Sequence, residues 1–207
     1  NFSSANRRNF FFAYDYGMNY FRTLSKNAFF VMDGGDDTFF TTAYLHYAEN
    51  RRKDIYPFDR GGLIFRHPYG KDFRWLTREE KNIRREQVES KLAQSKDLPA
   101  VASAKAGRRV YYSTMNEKIL PGFKLSQNGI LYRVETTLAS RFIGTIWEFH
   151  NLRKPSAESL SEYRVRALAP IYAYLRGVDR EKSGDLQSAL KDWNYAYSLG
   201  EDIKWLR

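Results

Sequence analysis

The segment Val31-Met32-Asp33-Gly34-Gly35-Asp36-Asp37-Thr38-Phe39-Phe40 constrains the fold more than any other part of the chain. It sets three carboxylates and two glycines between an apolar run and an amphipathic one. That is the pattern of a loop carrying a strand into a helix. Crowding Asp33, Asp36 and Asp37 together costs like-charge repulsion, which a bound cation, a hydroxyl-rich ligand or the positive end of a helix offsets. Upstream, Ala28 to Met32 is apolar at every position, which suits a strand buried on both faces. Downstream, Thr38 to Asn50 carries Phe40, Tyr44 and Tyr47 along one helical face with Leu45 and Ala48 beside them, and Asp36 or Asp37 is placed to cap its start. Asp54 to Phe58 resumes as a strand, so strand, loop, helix and strand follow within about thirty residues, the size of a βαβ unit.

Around this unit the remaining elements fall into place. Residues 1–9 are polar and basic and read as a flexible lead-in. Phe10, Tyr14, Met18, Phe21 and Leu24 recur at near-helical spacing and predict a first helix over 10–26. Residues 59–76 show no period and read as an ordered loop with a short strand at Leu63 to Phe65. Thr77-Arg78-Glu79-Glu80 has capping-box spacing and opens a highly charged helix to about Gln94. Arg108 to Thr114 and Gly129 to Glu135 are β-rich runs separated by a turn at Pro121-Gly122; residues 136–152 fit helix or strand. Lys154-Pro155-Ser156 marks a boundary. Beyond it Leu160, Tyr163, Ala167, Ile171 and Tyr174 line one helix, Ser183-Gly184-Asp185 turns the chain, and Leu186, Ala189, Leu190, Trp193 and Ala196 line a second. Pro170 is expected to kink or divide the first of these helices.

The expected architecture is therefore α/β: a layered, Rossmann-like, mainly parallel sheet flanked by helices over 10–153, then a helical hairpin of tetratricopeptide type over 154–207. Gly177, Ala189 and Ala196 match the small-residue positions of such a repeat, and Trp193 a large one.

Composition narrows function by exclusion. The 34 Lys and Arg outnumber 24 Asp and Glu, for a net charge of +10. The basic residues are scattered in pairs such as Arg84-Arg85 and Arg108-Arg109 instead of forming one stripe, so no nucleic-acid partner is expected. Zero Cys removes disulfides, thiolate catalysis and cysteine zinc sites together. No apolar run approaches the roughly eighteen residues that span a bilayer, and no signal-peptide pattern opens the chain. It begins at Asn1 rather than Met, which reads as a piece of something longer. His46, His67 and His150 lack metal spacing and read as ordinary helix or loop residues. No Gly-x-Ser-x-Gly elbow, phosphate-binding Gly-Lys-Ser/Thr loop or Gly-x-Gly-x-x-Gly fingerprint occurs, which argues against serine hydrolases, P-loop nucleotidases and Rossmann oxidoreductases.

Several runs together resemble a known family. They are Asn27-Ala28-Phe29-Phe30 leading into Asp33-Gly34-Gly35-Asp36-Asp37-Thr38-Phe39, then Tyr44-Leu45, Arg109-Val110-Tyr111-Tyr112 and Gly129-Ile130-Leu131-Tyr132-Arg133. Over 10–150 the chain resembles the soluble C-terminal region of bacterial multi-spanning membrane proteins, a domain-of-unknown-function family related to O-mannosyltransferase-like glycosyltransferases of the GT-C fold. The family loop reads Asn-Gly-Asp-Asn-Asp-Thr-Phe; Gly34, Asp37, Thr38 and Phe39 match it, while Asp33, Gly35 and Asp36 depart from it. The resemblance implies a module on the extracytoplasmic, periplasmic side of a membrane, whose partner is the membrane-embedded part of the same polypeptide. In such enzymes the transfer chemistry lies in that membrane part.

The candidate ligand site is the acidic loop: Asp33, Gly34, Gly35, Asp36, Asp37 and Thr38. Its oxygen donors make Mg2+ or Ca2+ the candidate ion, held by Asp33, Asp36 and Asp37, although they lack calcium-loop spacing; helix capping with solvated carboxylates explains the same residues. Arg60, Arg66, Lys71, Arg74 and Trp75 form a candidate surface toward a partner or a membrane. Tyr14, Tyr16, Tyr20, Tyr56, Phe58, Tyr69, Phe73 and Trp75 suit either a sugar-stacking wall or core packing, and packing is favoured. Functionally this predicts a module that assists acceptor or partner binding, the acceptor being a peptide or glycan, and is not catalytic alone. The rivals are a Mg2+-dependent transferase or hydrolase acting on a phosphorylated or glycosidic substrate through the acidic loop, and a peptide-binding scaffold built on the hairpin.

Overall fold

The computed structural model describes residues 10–32, 36–59, 64–65, 69–70, 72–95, 107–114, 124–135 and 144–200. Along them run α1 (Phe12–Thr23), β1 (Phe29–Met32), α2 (Asp36–Ala43) prolonged by a π-helical turn (Tyr44–Ala48), and β2 (Tyr56–Asp59). A 3-10 turn (Phe73–Trp75), α3 (Arg78–Ser95), β3 (Val110–Tyr112), β4 (Lys124–Asn128) and β5 (Leu131–Glu135) follow. A second 3-10 segment (Gly144–Phe149), α4 (Ala157–Leu160), α5 (Tyr163–Lys182) and α6 (Leu186–Leu199) complete the series. Contacts group the chain into two compact units: a sheet unit of Leu24–Ser126 and Leu131–Ser140, and a helical unit of Asn1–Thr23, Gln127–Ile130 and Arg141–Arg207. The first helix thus belongs with the last ones, whereas the sequence places a single boundary at 153/154.

The five strands form one mixed sheet in the order β2-β1-β3-β5-β4. β1 pairs in parallel with β2 (Phe29 opposite Tyr56) and with β3 (Phe29 opposite Val110). β5 runs antiparallel to β3, with Tyr111 opposite Arg133. The expected mainly parallel sheet is therefore corrected to a mixed one, and the reason lies in loop length. Only Gly129 and Ile130 separate the neighbouring strands β4 and β5. Two residues can close a hairpin, whereas a parallel pair needs a crossover of about a dozen. Gly129 has φ +61° at the first loop position, where two-residue hairpins need a left-handed residue. The run from Gly129 is thus a turn followed by a strand, preceded by a strand whose polar sequence, Lys-Leu-Ser-Gln-Asn, gave no apolar signal. Pro121-Gly122 lies outside the described residues.

At the sheet's centre the strand–helix–strand unit is present: β1 and β2 are adjacent, parallel and joined through α2. Phe30, Val31 and Met32 are buried, as the unbroken apolar run predicts. Val31, Val110 and Tyr112 form the core of one sheet face, with Phe29, Phe58, Tyr132 and Val134 packed against them. Side chains of this size contribute about 1.5–3 kcal/mol each when fully buried.

The helical faces match expectation only in part. In α2 the buried residues are Thr38, Phe39 and Thr42, with Leu45 in the π turn, while Phe40, Tyr44 and Tyr47 are 54–59 % exposed. In α1 Phe12, Asp15, Tyr16, Asn19, Tyr20 and Thr23 are buried; of the expected stripe Phe21 and Leu24 are buried too, whereas Phe10, Tyr14 and Met18 are half-buried. In α5 Val165, Ala169, Tyr172, Ala173 and Asp179 are buried, and Tyr174 is exposed. In α6 Ala189, Asp192 and Ala196 are buried while Leu186 and Leu190 face solvent. Polar side chains occupy inner faces in every one of these helices, which displaces the apolar stripe that periodicity relies on. Pro170 does not divide α5, which continues from Tyr163 to Lys182. Ile64 and Phe65 form a bend rather than a strand, its start anchored by the Ile64 N–H donating to Asp59 at 2.7 Å. The capping box at α3 is present: the Thr77 N–H donates to Glu80 at 2.8 Å, and the Glu80 N–H to the Thr77 hydroxyl at 3.3 Å.

Candidate functional site

β1 ends at Met32 and α2 begins at Asp36. Asp33, Gly34 and Gly35 lie outside the described residues, as do the side chains of Asp36 and Asp37. Thr38 is buried on the inner face of α2. Among the described residues, no group of three His, Asp or Glu side chains has an arrangement that could hold a metal ion. Arg60, Arg66 and Lys71 are likewise outside the described residues. Arg74 and Trp75 are exposed on a 3-10 turn, the guanidinium lying 4.5 Å from the indole centre. Phe73 beside them is buried and stacks on Tyr69 with ring centroids 4.8 Å apart. Of the aromatic residues weighed as a sugar wall, Tyr16, Tyr20, Tyr69 and Phe73 are core, while Tyr56 and Trp75 are exposed.

A cavity lies in the helical unit, and polar side chains assemble it. Asp15, Asn19 and Thr23 recur every four residues along α1 and so share one face. Each holds a residue of an extended segment running past that helix. The Asp15 carboxylate accepts from the Arg153 backbone N–H at 3.0 Å and from its guanidinium at 2.6 and 2.7 Å. The Asn19 side chain accepts from the Asn151 N–H at 3.0 Å and donates to its carbonyl at 3.1 Å. Thr23 meets His150 Nε2 at 2.8 Å. This ladder gives the backbone of Asn151 and Arg153 and the His150 ring their partners along residues 150–153, where no strand pairs.

The Thr23 bond also fixes the imidazole tautomer. The Thr23 hydroxyl has one proton, which it donates to the Asn19 carbonyl at 2.8 Å. Toward His150 it is then an acceptor, so Nε2 carries the proton and Nδ1 presents a lone pair. That Nδ1 is buried without a hydrogen-bond partner among the described residues. Burial, with the positive Arg22 adding to it, pulls the His150 pKa down to about 4. Asp15 has a lowered pKa; burial opposes its ionisation, but the Arg153 hydrogen bonds outweigh that.

The cavity, about 500 Å³, is walled by Phe12, Trp147, Tyr172 and Tyr195, with His150, Arg153 and Arg176 among its polar groups. Trp147 and Tyr172 meet edge to face with centroids 5.3 Å apart. The Trp147 indole N–H donates to Asp179 at 2.7 Å, which orients the ring. Burial pushes the Tyr172 phenol up to about 12, against the nearby Arg176 charge and with the Asp192 carboxylate adding to the rise. Arg176 is itself held: the buried Asp192 carboxylate of α6 accepts from it at 2.6 and 2.9 Å and from Arg180 at 2.8 Å. The two helices approach closely at Gly177, where an added Cβ would lie 2.4 Å from the Trp193 indole. Gly177 and Trp193 stand out in the sequence; the ladder residues Asp15, Asn19, Thr23 and His150 do not, because a polar residue in an aromatic helix carries no local sign of a distant partner.

Compared with known proteins, the chain matches no family model, and neither a curated protein nor a solved structure shows significant similarity to it. Among the described residues, no helix is long and apolar enough to cross a membrane.

Proposed function

We propose that this chain is a recognition module, not catalytic alone, which assists acceptor binding on the extracytoplasmic side of a membrane glycosyltransferase-like protein. The feature that carries the binding reading is the burial of His150 and Tyr172 in the cavity wall and the direction in which it moves their titration. Acid–base catalysis is most efficient with a pKa near the working pH. His150 at about 4 and Tyr172 at about 12 are displaced away from neutrality in opposite directions. Both therefore stay neutral near pH 7 and serve as hydrogen-bonding groups, one offering a lone pair and the other a hydroxyl. Aromatic faces beside such groups and the Arg153 guanidinium suit a hydroxyl-rich ring, so a glycan is the acceptor class favoured over a peptide.

Finer architectural readings accompany this one. The tetratricopeptide-type reading of α5 and α6 is supported by fully buried Ala189 and Ala196 and by the Gly177–Trp193 approach. The Rossmann-like reading of the sheet unit is supported by the parallel β1–α2–β2 connection.

The test is titration of the full chain with a panel of neutral and acidic oligosaccharides, followed at the Trp147 indole N–H resonance. Saturable millimolar or tighter binding that weakens about tenfold in Tyr195→Ala, a loss of one stacking ring, supports the proposal. An indole resonance unmoved by every glycan at millimolar concentration refutes it. The upstream reading frame tests the setting: several apolar segments of about twenty residues support a membrane parent, and a start codon close to Asn1 removes it.

A further inference from the structure

At the amino ends of the three parallel strands lies a second cleft, of about 630 Å³, in the sheet unit. Its lining includes Ser25, Lys26, Tyr56, Gly107, Arg108 and Arg109. The chain enters β1 from Ser25-Lys26-Asn27 and enters β3 from Gly107-Arg108-Arg109, and Tyr56 is the first residue of β2. Parallel pairing therefore brings these segments to one sheet edge, the opposite end from the acidic loop. Register is held there by the Phe29 N–H donating to the Arg109 carbonyl and the Tyr56 N–H to the Ala28 carbonyl, both at 2.9 Å.

Three features of this cleft point to one ligand chemistry. First, three cations converge on it, and among the described residues no carboxylate forms an ion pair with Lys26, Arg108 or Arg109. Asp54, which bonds the Asn27 backbone beside the cleft, is already committed: it accepts from Arg52 at 2.8 and 2.9 Å and from the Asn27 N–H at 3.0 Å, and its pKa falls to about 2. Arg52 is equally committed, donating to the Leu24 and Ser25 carbonyls at 2.9 and 2.8 Å. Second, the Ser25 hydroxyl is buried without a hydrogen-bond partner among the described residues, which leaves a donor at the cleft unsatisfied. Third, the Arg108 guanidinium lies over the Tyr56 ring at 3.9 Å, so its planar fork is held by stacking and pre-ordered for bidentate bonding. Unpaired like charges repel, and a fork of guanidinium donors beside a spare hydroxyl complements an oxyanion with several acceptor oxygens.

We propose that this cleft binds a phosphoryl group, with Arg108 and Arg109 as the charged donors, Lys26 as a point charge and the Ser25 hydroxyl as the neutral donor. It is separate from the aromatic cavity and does not depend on what that cavity binds. The phosphoryl group has two sources, a soluble phosphorylated molecule or an anionic lipid headgroup, and the same chemistry recognises both.

The test uses the full chain with inorganic phosphate and pyrophosphate, and sodium chloride at matched ionic strength as the control. Saturable stabilisation beyond chloride is expected, with chemical-shift changes at the Gly107 and Asn27 amides. Arg108→Gln with Arg109→Gln is expected to weaken binding at least about tenfold, and Ser25→Ala less. The arginines are exposed, so the double variant retains its far-UV circular dichroism. Co-sedimentation with phosphatidylcholine vesicles containing phosphatidylglycerol, lost in the double variant and absent without the anionic lipid, assigns the group to a membrane; binding of the free anions without vesicle binding assigns it to a soluble ligand. A response to phosphate no larger than to chloride, with no vesicle binding, overturns the proposal, and so does a double variant that binds as tightly as the parent chain.

Discussion

Stability is expected to fall as pH drops from about 6.5 to 4, and His150 is the group that sets the window. Its imidazole titrates at 6.5 in an unfolded chain and at about 4 in the fold. A base whose folded pKa is depressed contributes stability that is fully present above the unfolded value. As pH falls below 6.5 the unfolded chain takes up a proton that the folded one refuses, and the contribution declines until the folded ring also titrates. A shift of this size corresponds to about 3.5 kcal/mol at most, since each pKa unit is worth about 1.4 kcal/mol. His46, whose pKa is lowered by burial and by Lys53, acts in the same direction. Asp179 acts in the opposite one: burial raises its pKa, so its contribution is present at low pH and lost as pH rises through the folded value. Asp15, with a lowered pKa, loses its contribution only below about 3.8. The comparison that isolates His150 is therefore between the parent chain and His150→Phe, which keeps a ring against Trp147 but cannot be protonated. Urea unfolding of both at pH 7 and pH 4.5 should give a parent that loses about 2–3 kcal/mol more than the variant. The folded ring's Cε1–H resonance should titrate near 4. Equal pH slopes in the two proteins, or a folded-state midpoint near 6.5, would refute the tautomer and burial argument together.

Three further outcomes follow from the geometry of single positions. Asp192→Asn removes the charge that Arg176 and Arg180 share; those side chains are 31 % and 37 % exposed, so the loss is expected at about 2–3 kcal/mol in urea unfolding, below the 3–5 kcal/mol of a fully buried pair. Gly177→Ala adds a Cβ 2.4 Å from the Trp193 indole; overpacking of about 1–3 kcal/mol outweighs a helix-propensity gain of about 1 kcal/mol, and Trp193→Leu in the same chain is expected to reverse the loss. Gly129→Ala forces a side chain into φ +61° and against His150 Cε1 at 3.0 Å, so a drop of about 1–3 kcal/mol is expected by thermal unfolding, and Gly129→Asn should cost less than the alanine because asparagine tolerates left-handed backbone.

The sheet's centre was legible because its signal is local. β1 lies in the apolar run Ala28 to Met32 with glycines after it, the Thr77 capping box closes within four residues, and the β1–α2–β2 unit spans about thirty; none needs a distant partner to be recognised. The mixed sheet was not legible, because β4 is edge-like and polar, and only its two-residue turn into β5 decides the direction. Nor was the cavity. His150 looked ordinary because its significance comes from Thr23, which lies 127 positions earlier in the chain, and Arg153 acquires its role from Asp15 at a separation of 138.

The displaced helix faces explain how the cavity is built. Periodicity finds a stripe, but a stripe of aromatic residues has an inner and an outer choice when the opposite face is also apolar or carries satisfiable polar groups. In α2, Phe39 and Leu45 with Thr38 and Thr42 make the smaller, better-filling face, and Phe40, Tyr44 and Tyr47 are left outside. In α1 the same choice puts Asp15, Asn19 and Thr23 inward, where each finds a partner on residues 150–153. A buried polar group is tolerated only when bonded, and one left unpaired costs about 1–3 kcal/mol, so a ladder of three must be satisfied as a set or not at all. Satisfying it lines up His150, Asn151 and Arg153 at one cavity wall. The polar inner face that defeated the hydrophobic pattern is thus the same feature that builds the site.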